Sequence, residues 1–139
     1  MYMQTIEQSI FKTFYGEFSD VKNQLREREA IGGYPLVNII ETDASFFIEM
    51  ALPGYQKQNL EVKLEHEVLV VSGGSVTKPY RNIMRVLKSD FETPVFERSF
   101  ILPDHVKEVM AWYDAGVLCI QLLKSTETSI PVDKEVLIQ

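Results

Sequence analysis

Cysteine is nearly absent from this sequence: Cys119 stands alone among 139 residues. No intrachain disulfide and no cysteine zinc cluster can form, and a reducing compartment, the cytoplasm, is the simplest fit. Histidine is almost as scarce. His66 and His105 are far apart and both fall at the ends of expected strands, so they read as surface residues rather than ligands. HExxH, GxSxG, GxGxxG and P-loop patterns do not occur. The run Val71-Ser72-Gly73-Gly74-Ser75 lacks the lysine and the following helix that a phosphate cradle needs, so it reads as a strand-ending turn. Cys119 lies in an apolar strand, not in the basic, partly exposed setting of a reactive thiol, and reads as a small buried hydrophobe. No enzyme and no cofactor is expected.

Basic charge is also in short supply. Fourteen lysines and arginines face 20 acidic residues, a net charge of −6 that is spread as −1 over 1–35, −4 over 36–123 and −1 over 124–139. Without a basic block, neither nucleic acid nor an anionic membrane is an expected partner. No apolar run approaches the ~20 residues of a membrane helix, and residues 1–14 lack the basic start and continuous apolar stretch of a signal peptide. Glycine and proline together are only 13 residues, which excludes collagen-like and low-complexity chains. Hydrophobic residues make up 45% and charged residues 24%, ordinary for one globular domain and too apolar for wholesale disorder.

Three parts are legible in the pattern. Residues 1–35 read as a helical or mobile arm. Thr5 and Gln8 have capping-box spacing, and Ile6, Ile10, Phe11, Phe14, Tyr15 and Phe18 recur at helix-like intervals. A second, charged helix is expected from Asp20 to Ala30, stopped by Gly32-Gly33. Residues 36–123 read as all-β. Strands are expected over Leu36 to Glu41 and Phe46 to Leu52, and over Leu60 to Glu65, where Leu60, Val62 and Leu64 alternate with Glu61, Lys63 and Glu65. The run Val68 to Val71 suggests a strand buried on both faces. A long connection, roughly 75–94, holds a weak strand candidate around Ile83 to Lys88. Phe96, Arg98, Phe100 and Leu102 share one parity. Val109 to Tyr113 and Val117 to Leu123 pair across Asp114-Ala115-Gly116, where glycine serves a positive φ. Short strands at this spacing suggest a β-sandwich. Residues 124–139 form a polar tail with two apolar pairs, Ile130/Val132 and Val136/Ile138.

Four segments resemble the small heat shock proteins, which are built on the α-crystallin domain. They are Ala51-Leu52-Pro53-Gly54-Tyr55 followed by Asn59-Leu60-Glu61-Val62; Leu69-Val70-Val71-Ser72-Gly73; Phe96-Glu97-Arg98-Ser99-Phe100-Ile101-Leu102-Pro103; and Ala111-Trp112-Tyr113-Asp114-Ala115-Gly116-Val117-Leu118, similar to the family's AxxxxGVL signature. Each is modest alone, but their order over 36–123 is specific. The layout of aromatic arm, β domain and tail extends the likeness to the whole chain.

The resemblance implies an immunoglobulin-like β-sandwich and an ATP-independent holdase that binds unfolding proteins as a homo-oligomer of dimers, with ATP-driven chaperones downstream. It implies a bacterial-type dimer in which Ile83, Met84, Arg85, Val86 and Leu87 pair with the partner's sheet and Arg98 meets a carboxylate at the dimer interface. It implies that a tail pair plugs a groove lined by Leu60, Val62, Leu64, Val109 and Ala111. Ile130/Val132 fits by residue type and is preferred. Val136/Ile138 has the more usual spacing, because only five residues separate Lys124 from Ile130. Clients would bind Phe11, Phe14, Tyr15 and Phe18. The competing expectation is a β-sandwich co-chaperone or scaffold that binds one defined folded partner.

Overall fold

In a half-buried strand, every second side chain faces the core, and this period of two shapes most of the chain. The computed structural model describes residues 25–29, 33–80, 82–128 and 132–139. Nine strands occur among them: β1 (Arg26–Glu29), β2 (Val37–Glu41), β3 (Ser45–Ala51), β4 (Leu60–Glu65), β5 (Val68–Gly73), β6 (Phe96–Ile101), β7 (Val106–Asp114), β8 (Val117–Lys124) and β9 (Lys134–Val136). They build two antiparallel sheets, ordered β1-β6-β5-β4-β9 and β2-β3-β8-β7. The all-β sandwich expected from the sequence is present.

The core lies between the sheets. Ile48, Met50, Val62, Leu64, Leu69, Val71, Phe100, Ala111, Leu118, Ile120 and Leu122 are wholly buried. Strand β5 departs from expectation. Leu69 and Val71 point inward, but Val68 and Val70 are only half-buried. Val70 lies between Lys63 and Ser99 on the outer face, and no layer covers that face among the described residues. A β-branched run therefore does not by itself mean burial on both faces.

The arm holds the larger surprise. Arg26–Glu29 is a strand paired with β6, with Arg26 opposite Ile101 and Glu27 opposite Phe100, so this part of the expected Asp20–Ala30 helix does not form. Alternating charge suits a short edge strand as well as a helix, and a buried partner on β6 decides between them, as described below. Leu25, just before the strand, is buried in the core. Two hairpins have two-residue turns with positive φ: Ala115 and Gly116 join β7 to β8, the hairpin expected from the sequence, and His66 and Glu67 join β4 to β5.

Around the entry to the domain, aromatic rings replace aliphatic packing. Phe96 meets Tyr34 and Tyr55 edge to face, at centroid distances of 5.9 and 5.8 Å. The Tyr55 hydroxyl donates to the Pro94 carbonyl, so the Tyr34 hydroxyl, 3.1 Å away, donates to Tyr55. Burial first, and Tyr34 second, push the Tyr55 hydroxyl well above its ordinary range, so it keeps the proton this bond needs. The Phe96 ring lies flat over Gly73, where a Cβ would run into the ring itself.

Gly73→Ala should therefore displace Phe96 and disturb both tyrosine contacts. The expected loss is about 1–3 kcal/mol of unfolding free energy, read from the urea midpoint. A midpoint equal to that of the native chain would show that the ring can shift without cost.

Candidate functional site

Strand β4 of one sheet and β7 of the other run along the same flank of the sandwich, and the chain's last residues lie between them. Every residue expected to line a groove is there. Leu60, Val62 and Leu64 face inward from β4, Val109 and Ala111 from β7, and all five are buried. Strand β9 pairs with β4, with Val136 opposite Val62 and Lys134 opposite Leu64. Ile138 bridges in parallel to Ala111. Farther along, the Gln139 N–H donates to the Ala111 carbonyl and the Tyr113 N–H donates to the Gln139 carbonyl, both at 3.0 Å.

The tail pair in this chain's own groove is Val136/Ile138. Their exposures are 5% and 9%, while Leu137 between them is 79% exposed. This is the geometry of an extended segment, in which i and i+2 point the same way. Of the preferred pair, Val132 is 81% exposed, outside the groove, and Ile130 lies outside the described residues. The physical reason is reach. The crossing from Lys124 to the groove uses residues 125–133, and a pair beginning at Ile130 would have far less chain for it. Burying a Val and an Ile contributes about 1.5–3 kcal/mol each. Ordering each tail residue costs about 1–2 kcal/mol, so the plug is held weakly and can leave.

Arg98 shares the inward parity of Phe96 and Phe100 and is buried. Its guanidinium takes both carboxylate oxygens of Glu27, through Nε to Oε2 and through Nη2 to Oε1 at 2.7 Å, while Nη1 donates to the Pro35 carbonyl at 2.7 Å. The carboxylate it meets in this chain is thus its own, on β1. Such a fork-to-fork pair is directional as well as strong. The interface residues expected in the long connection are displayed to solvent: Ile83 is 88% and Leu87 is 84% exposed, and Met84, Arg85 and Val86 are exposed too. They form no strand within this chain. The arm residues Phe11, Phe14, Tyr15 and Phe18 lie outside the described residues.

His66 is on the β4–β5 turn, and His105 is half-buried, with an Nδ1 that has no hydrogen-bond partner among the described residues. Among the described residues, no three or more His, Cys, Asp or Glu side chains gather as a metal site, and no helix is long and apolar enough to cross a membrane. Cys119 is half-buried on β8, opposite Glu49 and Trp112. Burial first, and then the Glu49 charge, push its thiol up.

Two outcomes follow from these environments. Glu27→Ala leaves a buried guanidinium short of its countercharge and should cost about 3–5 kcal/mol, whereas the double change Glu27→Leu with Arg98→Met should cost clearly less. Urea unfolding of the three chains checks this, and equal losses would mean the pair is not desolvated. Cys119, with less thiolate at any given pH than a free cysteine, should react more slowly with an aromatic disulfide reagent near about pH 8, and faster as the pH rises.

Comparison with known proteins agrees with this architecture. Residues 38–139 match the model of the Hsp20/alpha crystallin family. The probable 15 kDa heat shock protein of Leptospira interrogans is 32% identical over 92 residues, 65% of this chain and 69% of that protein. The 16 kDa heat shock protein B of Azotobacter vinelandii is 31% identical over 111 residues, 79% of this chain and 75% of that one. Among solved structures, a small heat-shock protein from Xylella fastidiosa superposes with a TM-score of 0.61 at 26% identity, covering 70% of this chain and 92% of that one. Heat shock protein 16.0 of Schizosaccharomyces pombe superposes with a TM-score of 0.64 at 21% identity over 86% and 92%, a likeness of fold alone. The match takes in strands β3 to β9, the groove and the seated tail, and this chain belongs to the Hsp20/alpha crystallin family of small heat shock proteins, which are chaperones and not enzymes.

Proposed function

We propose that this protein is an ATP-independent holdase that captures unfolding proteins and works as a dynamic homo-oligomer of dimers, passing clients to ATP-driven chaperones. The observation that carries this reading is the tail seated in the groove between β4 and β7. A segment held by two side chains and a short ladder is strong enough to populate and weak enough to exchange. Contacts of this kind, made between copies in a closed shell, add through effective concentration, so the assembly holds together while each link stays reversible.

Two further surfaces support the reading. Among the described residues, strand β2 pairs with β3 alone and its other edge is unpaired, and Ile83, Met84, Val86 and Leu87 are exposed in the long connection. In the proposed dimer, residues 83–88 of one chain add to the β2 edge of the other and cover those side chains. Connections of this length without their own secondary structure are usually functional. Clients are assigned to the arm, where Phe11, Phe14, Tyr15 and Phe18 provide non-directional apolar contact for many unfolded sequences.

The test is to heat a labile enzyme without ATP and follow turbidity. Suppression near one-to-one subunit stoichiometry, with the client held in soluble complexes, is expected. Aggregation unchanged even with the protein in excess would refute the holdase reading. Replacing both Ile130 and Val132 by Asp should shrink the assembly on light scattering while the far-ultraviolet spectrum of the sandwich persists.

A further inference from the structure

The tail touches the domain at a third point, before its apolar pair begins. Asp133 Oδ1 accepts the backbone N–H of His66 at 2.9 Å, and its Oδ2 lies 3.9 Å from His66 Nδ1. The turn that offers this N–H is unusual, because His66 and Glu67 both hold positive φ, at 50° and 70°, without a glycine. Left-handed backbone of this kind is strained for ordinary residues and persists where its surroundings support it. In a two-residue turn between paired strands, the N–H of the first turn residue points away from the ladder, available to an outside acceptor.

We infer that the groove has a carboxylate subsite at the β4–β5 turn, and that it reads an extended ligand of the form acid-x-x-(Ile/Val)-x-(Ile/Val). This rests on the reading of the groove as the seat of tail segments and adds what selects them. The seated segment, Asp133-Lys134-Glu135-Val136-Leu137-Ile138, has that form. The six residues before it, Glu127-Thr128-Ser129-Ile130-Pro131-Val132, repeat the form, with an acid again three residues before the first apolar one. The proline fits as well. Strand β9 ends at Val136, so the residue between the two apolar ones lies outside the β4 ladder, where a missing N–H costs nothing.

The two runs differ in reach. The Ser125 N–H is fixed to the His105 carbonyl at 2.6 Å. Seating the earlier run in the same chain's groove would leave residues 125–127 to make the crossing that 125–133 now make, and the first of these is tied down. The later run is therefore the one that serves its own groove. The earlier run serves the groove of a second copy of this chain, with Glu127 on that copy's β4–β5 turn.

The subsite works by hydrogen bonding and not by a basic field, because Glu65 and Glu67 flank His66. A neutral acceptor in the place of Asp133 keeps the bond, which makes Asp133→Asn the informative rescue beside Asp133→Ala. In the full-length protein, amide hydrogen exchange at Tyr113 reports whether Gln139 is in place. Asp133→Ala should raise that exchange roughly tenfold, and Asp133→Asn should stay close to the native rate. A synthetic peptide of residues 125–133, whose last residue stands where Gln139 does, should restore protection in the Asp133→Ala chain, and the same peptide with Glu127→Ala should not. If both Asp133 variants exchange at the native rate, or both peptides protect alike, the carboxylate subsite is wrong. Exchange at Tyr113 that is unchanged even when Val136 and Ile138 are both replaced by Asp would show instead that the tail does not occupy the groove, and the underlying reading fails.

Discussion

A guanidinium that leaves water must find its countercharge and its hydrogen bonds inside the protein, and Arg98 finds them in two different stretches of chain. Its partners are a carboxylate on β1 and a carbonyl at Pro35, both sequence-distant. Supplying them draws residues 26–29 into the sheet as an edge strand and fixes where the chain passes on its way to β2. The Tyr34–Phe96–Tyr55 stack follows from that path, since Tyr34 immediately precedes Pro35 and Phe96 lies two residues before Arg98 on the same face. The long connection is tied in turn, because Tyr55 holds the carbonyl of Pro94 at its end. Arm, sheet and loop are thus organised around one desolvated charge.

The sandwich was legible because its strands obey a period that the sequence states openly. Leu60, Val62 and Leu64 against Glu61, Lys63 and Glu65 leave little room for another answer. The parity that Arg98 shares with Phe96 and Phe100 was equally visible, while a carboxylate partner for it was implied only by the family resemblance. What the pattern did not reveal was which one. Arg-Glu-Arg-Glu satisfies helix propensity as well as strand alternation, and a strand of four residues wins only through its contacts with β6. Val70 misled for the opposite reason, since residue type suggested burial while its position on an uncovered outer face set its exposure.

The five residues expected to line a groove lie on one flank, because alternation on β4 and the parity of Val109 and Ala111 on β7 determine which side chains point inward. The pair that fills it in this chain was less legible. Residue type favoured Ile130/Val132, while the number of residues needed to pass from Lys124 around the end of β7 favours Val136/Ile138. That number depends on how far apart two sheets stand, which no local pattern encodes. The roles proposed for residues 83–88 and for the aromatic arm involve a second subunit or a client, and a single chain's pattern contains neither.

One consequence of the seated tail concerns the backbone and not the side chains. Strand β9 pairs with Val62 to Leu64 on β4, and residue 139 bonds to Ala111 and Tyr113 on β7, so one short segment covers outer backbone groups of both sheets along the same flank. When it leaves, two parallel rims of unsatisfied backbone open together, and any extended chain can hydrogen-bond to them whatever its side chains. A subunit in that state is an edge-to-edge polymerisation hazard toward its own kind as much as a trap for others. The tail is therefore also a safety cover, and truncating it trades away protection against self-association.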